Sequence, residues 1–458
     1  MNKRLLTLAT LALALCTLAN GAKKVHTLGD STMAPYDESA TETRGWGMYF
    51  GNFLTGGWTS ENYAKGGRDS RQGYNELWQT AKNNVGAGDY VLIQFAHNDE
   101  KIGGADRDAV YDYYTSKGMT SQAAALETRG TTPSTTYREW LTKIVDAVKA
   151  KGATPVLVSA VCRCYFSGGK ITRAGRHDLG DKFTVLTANG LVENQRVGAD
   201  DHSMDYSYQM EQLARQLGVS FIDMTTATKE LYESYGQDKC YATLFDKHET
   251  ANGGNQDLTH FNATGALLAA RLCAQLLKEQ GILADCINVP TDLSLSPAAI
   301  DLGDGYKGQT ASRQLTLNGF GLTPADGSIS LTASEGIELS ADRQNWGSSL
   351  TVDYKNGTLV KNFYMRLVLA TPGALSGAVT ATLGDKTVQV PVTGNVVEAA
   401  GDVNLTGSIS YSLDKGGTDQ GGDAVYAPAD LQTGELLAEA GQVLTRDEAE
   451  KIGERGLL

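Results

Sequence analysis

The sequence predicts an α/β domain on a parallel sheet, then a β-sandwich domain and a short C-terminal segment. Two observations carry this. Between Val25 and about Ala284, unbroken apolar runs take turns with amphipathic helical stretches, as in parallel strands covered on both faces. After Cys286 the helical period stops, and short alternating runs punctuated by Gly, Asp and Asn take over.

The elements follow in chain order. Residues 1–22 read as a signal peptide: Lys3-Arg4 are its basic start, Leu5 to Leu18 its apolar core, and Ala19-Asn20-Gly21-Ala22 a small-residue cleavage zone. Leu13-Ala14-Leu15-Cys16 is a poor lipoprotein signal, because the residue before the cysteine should be small. The α/β domain is expected over 23–285. Its strand runs are Val25–Leu28, Thr59–Ala64, Tyr90–Phe95, Pro155–Val161 and Val219–Asp223. Helical periods cover Trp46–Leu54, Tyr137–Lys151, Tyr206–Leu217, Thr225–Tyr235 and Ala263–Gln280. The polar stretches 101–136 and 163–205 read as long loops at the sheet rim. Over 288–397 the runs Arg313–Leu317, Ser328–Thr332, Ser349–Val352, Phe363–Leu369, Ala378–Leu383 and Thr387–Val392 suggest an Ig-like sandwich. Residues 398–458 are unassigned, apart from a capping-box signature at Thr445-Arg446-Asp447-Glu448.

Charge and cysteine usage narrow the function. A formal net charge of −13 disfavours nucleic acid and anionic membrane surfaces. No stretch reaches the ~18 apolar residues that a membrane span needs. An exported chain with Cys162, Cys164, Cys240, Cys273 and Cys286 is expected to hold one or two disulfides and a leftover thiol. With no matching Cys/His cluster near Cys162 and Cys164, neither a metal nor another cofactor is expected.

The chemistry concentrates at strand ends. Thr27-Leu28-Gly29-Asp30-Ser31-Thr32 delivers Ser31 to the carboxyl edge of the first strand, where open α/β sheets place ligands. Gln256-Asp257-Leu258-Thr259-His260-Phe261 supplies an acid three residues before an imidazole. Ester hydrolysis needs a nucleophile, a base, a group to orient the base, and donors for the oxyanion. Ser31, His260 and Asp257 fit the first three roles. Gly67, after the second strand, and Asn98, after the third, join the Ser31 N–H as candidate oxyanion donors.

These blocks resemble the SGNH (GDSL-type) hydrolases, and within them the rhamnogalacturonan acetylesterase group. The resemblance runs from Val25 to about Gln280. It also rests on Gly45-Trp46-Gly47, Gly66-Gly67-Arg68, His97-Asn98-Asp99-Glu100-Lys101, Thr136-Tyr137-Arg138 and Asp257-Leu258-Thr259-His260-Phe261-Asn262. It implies a flavodoxin-like three-layer α/β/α domain and metal-free catalysis by Ser31, Asp257 and His260. It further implies an oxyanion hole of Ser31, Gly67 and Asn98, and O-acetyl groups of plant cell-wall polysaccharide, chiefly pectin, as substrate. Two positions depart from the family pattern: Ala96 stands where glycine is usual, and Asp69 where a serine commonly follows the arginine.

The resulting expectation is a secreted or periplasmic serine carbohydrate esterase acting on acetylated polysaccharide or oligosaccharide. An acetylxylan or other acetyl-oligosaccharide esterase, and a catalytically inactive carbohydrate-binding protein, stay open. Oligomeric state is not legible. His97 reads as structural, Asp30 as a cap of its own turn, and Arg68 as the ion-pair partner of Asp69. His177, His202 and His248 read as solvated loop residues, and Trp46 and Trp58 as core.

Overall fold

The computed structural model describes residues 23–38, 40–246, 257–306, 312–368 and 372–397, with four short strand pieces beyond. The leader, His248, Leu369 and the capping box at Thr445 lie outside the described residues. Two compact units divide at Val289 and Pro290.

The first unit carries five parallel strands, β1 (Lys24–Gly29), β2 (Thr59–Asn62), β3 (Tyr90–Gln94), β4 (Thr154–Val158) and β5 (Ser220–Ile222), in the order β2-β1-β3-β4-β5. This is the doubly wound 2-1-3-4-5 order, whose direction of winding switches between β1 and β3. Val25 to Gly29 and Val91 to Gln94 are all buried, so the central strands read as continuous apolar runs, whereas β2 at the edge is only partly covered.

Helices follow most strands: α1 over 70–81, α2 (Arg107–Ser116), α3 (Arg138–Ala150), α4 (Tyr206–Leu217), α5 (Met224–Tyr235) and α6 (Ala263–Glu279). On one face of the sheet, Leu28, Val91, Ile93 and Leu157 form a single core with Leu77 and Trp78 of α1, Leu141 and Ile144 of α3, and Met210 and Leu213 of α4. The α3 sequence explains its place, since Leu141, Ile144, Val145 and Val148 recur on one side and all are buried. Helix α6 begins at Asn262, whose side chain accepts from Gly265 N, and it packs on β5, α5 and the short helix Gly47–Phe50.

The strand runs and the helical periods read from sequence are all occupied, with ends shifted by a few residues. Four helices escaped that reading, one of them Gln237–Leu244. Helix α1 contains Gly73 and a π-turn over Gly73–Trp78, which blurs the 3.6-residue period. Gly73 is there because a Cβ would meet the Phe95 ring at 2.4 Å. The stretch 101–136, expected to be loop, holds α2 and Thr120–Ala125; α2 is polar, with Val110 its one buried side chain. The stretch 163–205 contains a hairpin of Phe183–Thr187 with Gly190–Gln195.

The second unit is β-rich. One sheet holds β6 (Ser294–Ser296), β8 (Arg313–Phe320), β10 (Ile337–Ser340) and β12 (Thr358–Leu367) in the order β6-β8-β12-β10. The other holds β7 (Ile300–Tyr306), β9 (Gly327–Ala333), β11 (Ser349–Tyr354), β13 (Gly373–Leu383) and β14 (Lys386–Val397) in the order β7-β14-β13-β9-β11. Leu315, Leu317, Phe363 and Met365 of the first sheet share a core with Ile329, Leu331, Val379 and Val390 of the second. Alternating burial along β9 and β12 gives each sheet an inner and an outer face.

Leu157, on β4 between β3 and β5, is fully buried. Leu157→Ala is expected to destabilise the α/β unit by about 2–5 kcal/mol, read as a lower denaturation midpoint in urea.

Candidate active site

The site forms where three strand exits meet a turn from far along the chain. Backbone and side chains together fix the Ser31 turn. Asp30 is buried, and its Oδ1 accepts from Thr32 N at 2.9 Å and Thr32 Oγ1 at 2.8 Å. Gln94, at the end of β3, donates to Thr32 Oγ1 at 2.9 Å and accepts from Trp46 Nε1 at 2.8 Å. Asn62, at the end of β2, donates to Met33 O at 2.8 Å and accepts from Thr27 Oγ1 at 2.8 Å. The exits of β1, β2 and β3 are therefore joined by hydrogen bonds around Ser31.

Residues 257–262 arrive as a separate turn, held mainly by peptide groups. Cys164 N donates to Leu258 O at 2.7 Å, Asp246 N to His260 O at 2.9 Å, Arg44 N to Phe261 O at 2.9 Å, and Asn262 N to Leu244 O at 3.1 Å. The turn places His260 Nε2 2.8 Å from Ser31 Oγ, across 229 positions of sequence. His260 Nδ1 lies 2.8 Å from Asp257 Oδ2, while Asp257 Oδ1 accepts from Thr259 N at 2.6 Å and His260 N at 2.9 Å. Burial pushes the Asp257 carboxyl up, but the hydrogen bonds and charge of His260 outweigh it and hold the group well below the usual carboxylate range. An ionised Asp257 accepts the Nδ1 proton and leaves the Nε2 lone pair facing the serine hydroxyl. The His260 side chain keeps 28% exposure against 12% for Asp257, so the imidazole is the more open of the two.

Ser31, His260, Asp257, Gly67 and Asn98 all line one cleft of about 480 Å³. Among the described residues, neither the Ser31 N–H nor the Gly67 N–H donates to a protein acceptor. Gly67 adopts φ +75°, a conformation that other residues take at a cost. Asn98 donates from Nδ2 to Arg68 O at 3.0 Å, leaving its second amide hydrogen. All five residues singled out from the sequence thus meet at one cleft.

Sequence reasoning missed two cations and misread one histidine. Arg129 and Arg163 line the cleft, together with Lys101 and Tyr36. Arg163 donates to Thr259 Oγ1 at 2.6 Å and to His97 O at 3.0 Å, and it pairs with Glu100 at 3.2 Å. It thereby ties the His260 turn to the Asn98 turn. The signal, an arginine between two cysteines after the fourth strand, was read only for its cysteines, as disulfide or metal partners. His177 is not a solvated loop residue: it is fully buried, with Nδ1 2.5 Å from Glu100 and Nε2 2.8 Å from Val161 O. Its loop folds inward against the buried carboxylate that follows Asp99. His97 packs edge-on against it at 4.4 Å, and burial first, then the charges around it, push its ring well below its usual pKa.

Other expectations also change. Arg68 pairs with Glu76 at 2.8 Å and not with Asp69. Asp69 is buried as the N-cap of α1, accepting from Gln72 N, and its other oxygen accepts from Gly130 N at 3.0 Å, so it does not carry charge into the cleft. Ala96 does not take a positive φ, so its Cβ brings no strain. The five described cysteines are free thiols in place of the disulfides expected, with Cys164 and Cys240 sulfurs 3.1 Å apart. Trp46 is fully buried, whereas Trp58 is only partly covered and meets Tyr90 edge-on. His202 stacks on Tyr208 at a half-exposed position.

Fold and site define a class: an esterase-type hydrolase with a Ser–His–Asp hydrogen-bonded set at the switch point of a doubly wound sheet. The profile of the GDSL-like lipase/acylhydrolase family matches residues 27–268, and the chain belongs to that family. It is similar to rhamnogalacturonan acetylesterase RhgT of Bacillus subtilis (strain 168), at 31% identity over 265 residues, 57% of this chain and 91% of the relative. Probable rhamnogalacturonan acetylesterase YesY of the same organism is 28% identical over 262 residues, 57% of this chain and 95% of the relative. Among solved structures, the acetyl-xylooligosaccharide esterase Axe2 of Geobacillus aligns at TM-score 0.32 and 14% identity, over 57% of this chain and 96% of that one.

The Asp69–Asp99 pair makes one testable electrostatic statement. Burial and then the neighbouring Asp69 raise the Asp99 carboxyl above its ordinary value. A carboxyl raised in the fold stabilises fully below its unfolded value near 4, and that contribution fades as pH rises toward the folded one. Asn at position 99 does not titrate. The melting temperature of the wild type minus that of Asp99→Asn is therefore expected to fall between pH 4 and pH 8.

Proposed function

We propose that this protein is a carbohydrate esterase that removes O-acetyl groups from plant cell-wall polysaccharide, with pectin as the favoured polymer. The observation that carries the reading is the relay Ser31–His260–Asp257, two hydrogen bonds of 2.8 Å each, beside two unengaged peptide N–H groups. Ser31 Oγ attacks the acetyl carbonyl while His260 Nε2 takes its proton. Ser31 N, Gly67 N and Asn98 Nδ2 stabilise the oxyanion, each donor worth about 3 kcal/mol of barrier. As the tetrahedral intermediate collapses, His260 gives its proton to the departing sugar oxygen, which leaves as a free hydroxyl. A water molecule, deprotonated by the same imidazole, releases acetate from the acyl-serine.

The cleft lining favours an acidic polymer over neutral xylan or mannan. Lys101, Arg129 and Arg163 face it; Arg163 is neutralised by Glu100 and Arg129 by Glu127. Lys101 forms no ion pair among the described residues, and burial, then the two arginines, lowers its pKa. An uronate carboxylate beside the acetyl group would give Lys101 the anionic partner it lacks among the described residues. The relatives named for rhamnogalacturonan support the same polymer, and acetylated xylan is the second reading. An inactive binding protein is disfavoured, because the loss of any one of the five residues would suffice to disarm the site and none is lost.

The leader read over 1–22 supports export to the periplasm or the medium. In this reading 23–285 is the hydrolytic domain and 288–397 an Ig-like spacer. Residues 398–458 carry no proposed role.

Ser31→Ala is expected to abolish turnover of p-nitrophenyl acetate, and Asp257→Asn to lower kcat by about 10³–10⁴-fold with the fold intact. Acetate release from acetylated pectin is expected to exceed that from acetylated xylan and mannan. Equal background rates for wild type and Ser31→Ala would remove the enzyme reading, whereas a preference for xylan would remove only the polymer.

A further inference from the structure

We propose that Arg129 is a positioning residue for the oxyanion site, acting through the Asn98 carboxamide. The inference rests on the reading of Asn98 as an oxyanion donor. The terminal torsion of an asparagine is broad and roughly two-fold, so the side chain by itself does not select which end faces the cleft. Here both ends are dictated. Asn98 Oδ1 accepts from Arg129 Nη1 at 2.9 Å, and Nδ2 donates to Arg68 O at 3.0 Å. With the amide reversed, Nδ2 would face a guanidinium and Oδ1 a carbonyl oxygen, two like-with-like contacts. The guanidinium thus holds the amide with a nitrogen, and its remaining hydrogen, available to the cleft that Asn98 lines with Ser31 and Gly67.

Arg129 is itself fixed by the segments that supply the donors. Glu127 grips it through two bonds of 2.8 Å, to Nε and Nη2, and the bidentate grip lowers the Glu127 pKa to about 2. Arg71 Nη2 donates to Thr128 O at 2.6 Å. Asp69 accepts from Gly130 N at 3.0 Å, and Asp99 accepts from Thr131 Oγ1 at 2.7 Å. Residues 69 and 71 follow Gly67, and residue 99 follows Asn98. A Cβ on Gly67 would sit 3.4 Å from Arg129 Nη1, so the same guanidinium lies beside both Asn98 and Gly67. Gly130 is required at its position, because its φ is +137° and a Cβ would meet Lys101 O at 2.8 Å.

The test is a double-mutant cycle on p-nitrophenyl acetate, which carries neither sugar nor carboxylate. Arg129→Gln is expected to lower kcat about 10–100-fold, less than the deletion of a donor, with KM changed by less than about twofold. Arg129→Lys, able to reach Oδ1 with one bond but not to form the fork, is expected to recover part of the loss. In an Asn98→Ala background Arg129→Gln should cost nothing further, whereas a role confined to loop integrity would lower kcat in both backgrounds. Should Arg129→Gln fail to fold, Glu127→Gln on the exposed side of the fork gives a smaller loss with the same dependence on Asn98. An unchanged kcat in Arg129→Gln, or equal losses in the two backgrounds, overturns the proposal. So does a KM rise confined to acetylated polyuronide, which would make Arg129 a reader of substrate charge. If Asn98→Ala itself leaves kcat unchanged, the oxyanion reading of Asn98 falls first and the positioning role falls with it.

Discussion

Strand β1 is paired in parallel on both sides, to β2 and to β3, and the site depends on that double pairing. Because the winding reverses between β1 and β3, the chain leaves these two strands toward opposite faces and a crevice opens between their exits. The register fixes what stands at its lip: Gly29 lies opposite Gln94, so the Ser31 turn and the Asn98 turn begin at the same level. Gly29 must lack a side chain, since a Cβ would meet Met33 Sδ at 2.7 Å and Gln94 O at 2.9 Å. The bend that exposes Ser31 is bought by close backbone approach.

Polar groups then do the holding. Asp30, Asp69, Asp99, Glu100, Arg163 and His177 are buried or nearly so around the cleft, and nearly every one is engaged with a loop backbone or an opposite charge. Such networks contribute little net stability compared with apolar packing, but removing one member of a buried pair costs about 3–5 kcal/mol. They specify one arrangement of loops that have little apolar surface of their own. The rim is therefore fixed electrostatically, whereas the sheet beneath it is fixed by the apolar core of Leu28, Val91, Ile93 and Leu157.

The parts legible in the sequence were those written in local chemistry. Continuous apolar runs marked β1, β3 and β4, and helix periods marked α3, α4 and α6, because burial imposes those patterns residue by residue. Ser31, Gly67, Asn98, Asp257 and His260 were legible as strand-end punctuation reinforced by a family resemblance. Arg129 and His177 were not. Each sits in a polar stretch with no period, and its place is set by partners dozens of residues away, Asn98 and Glu100. Helix α2 was missed for a related reason: a surface helix with one buried residue leaves almost no amphipathic trace. The thiols of Cys162 and Cys273 are sealed in the core, where burial raises their pKa, and cysteine counting says nothing about such places.

The turn from Asp257 to Asn262 is gripped through Leu258 O, His260 O, Phe261 O and Asn262 N, groups that every residue possesses. Its address in the molecule is therefore largely blind to side-chain identity. Leu258 can thus be exchanged without moving the His260 imidazole, whereas Thr259 is held by its hydroxyl to Arg163.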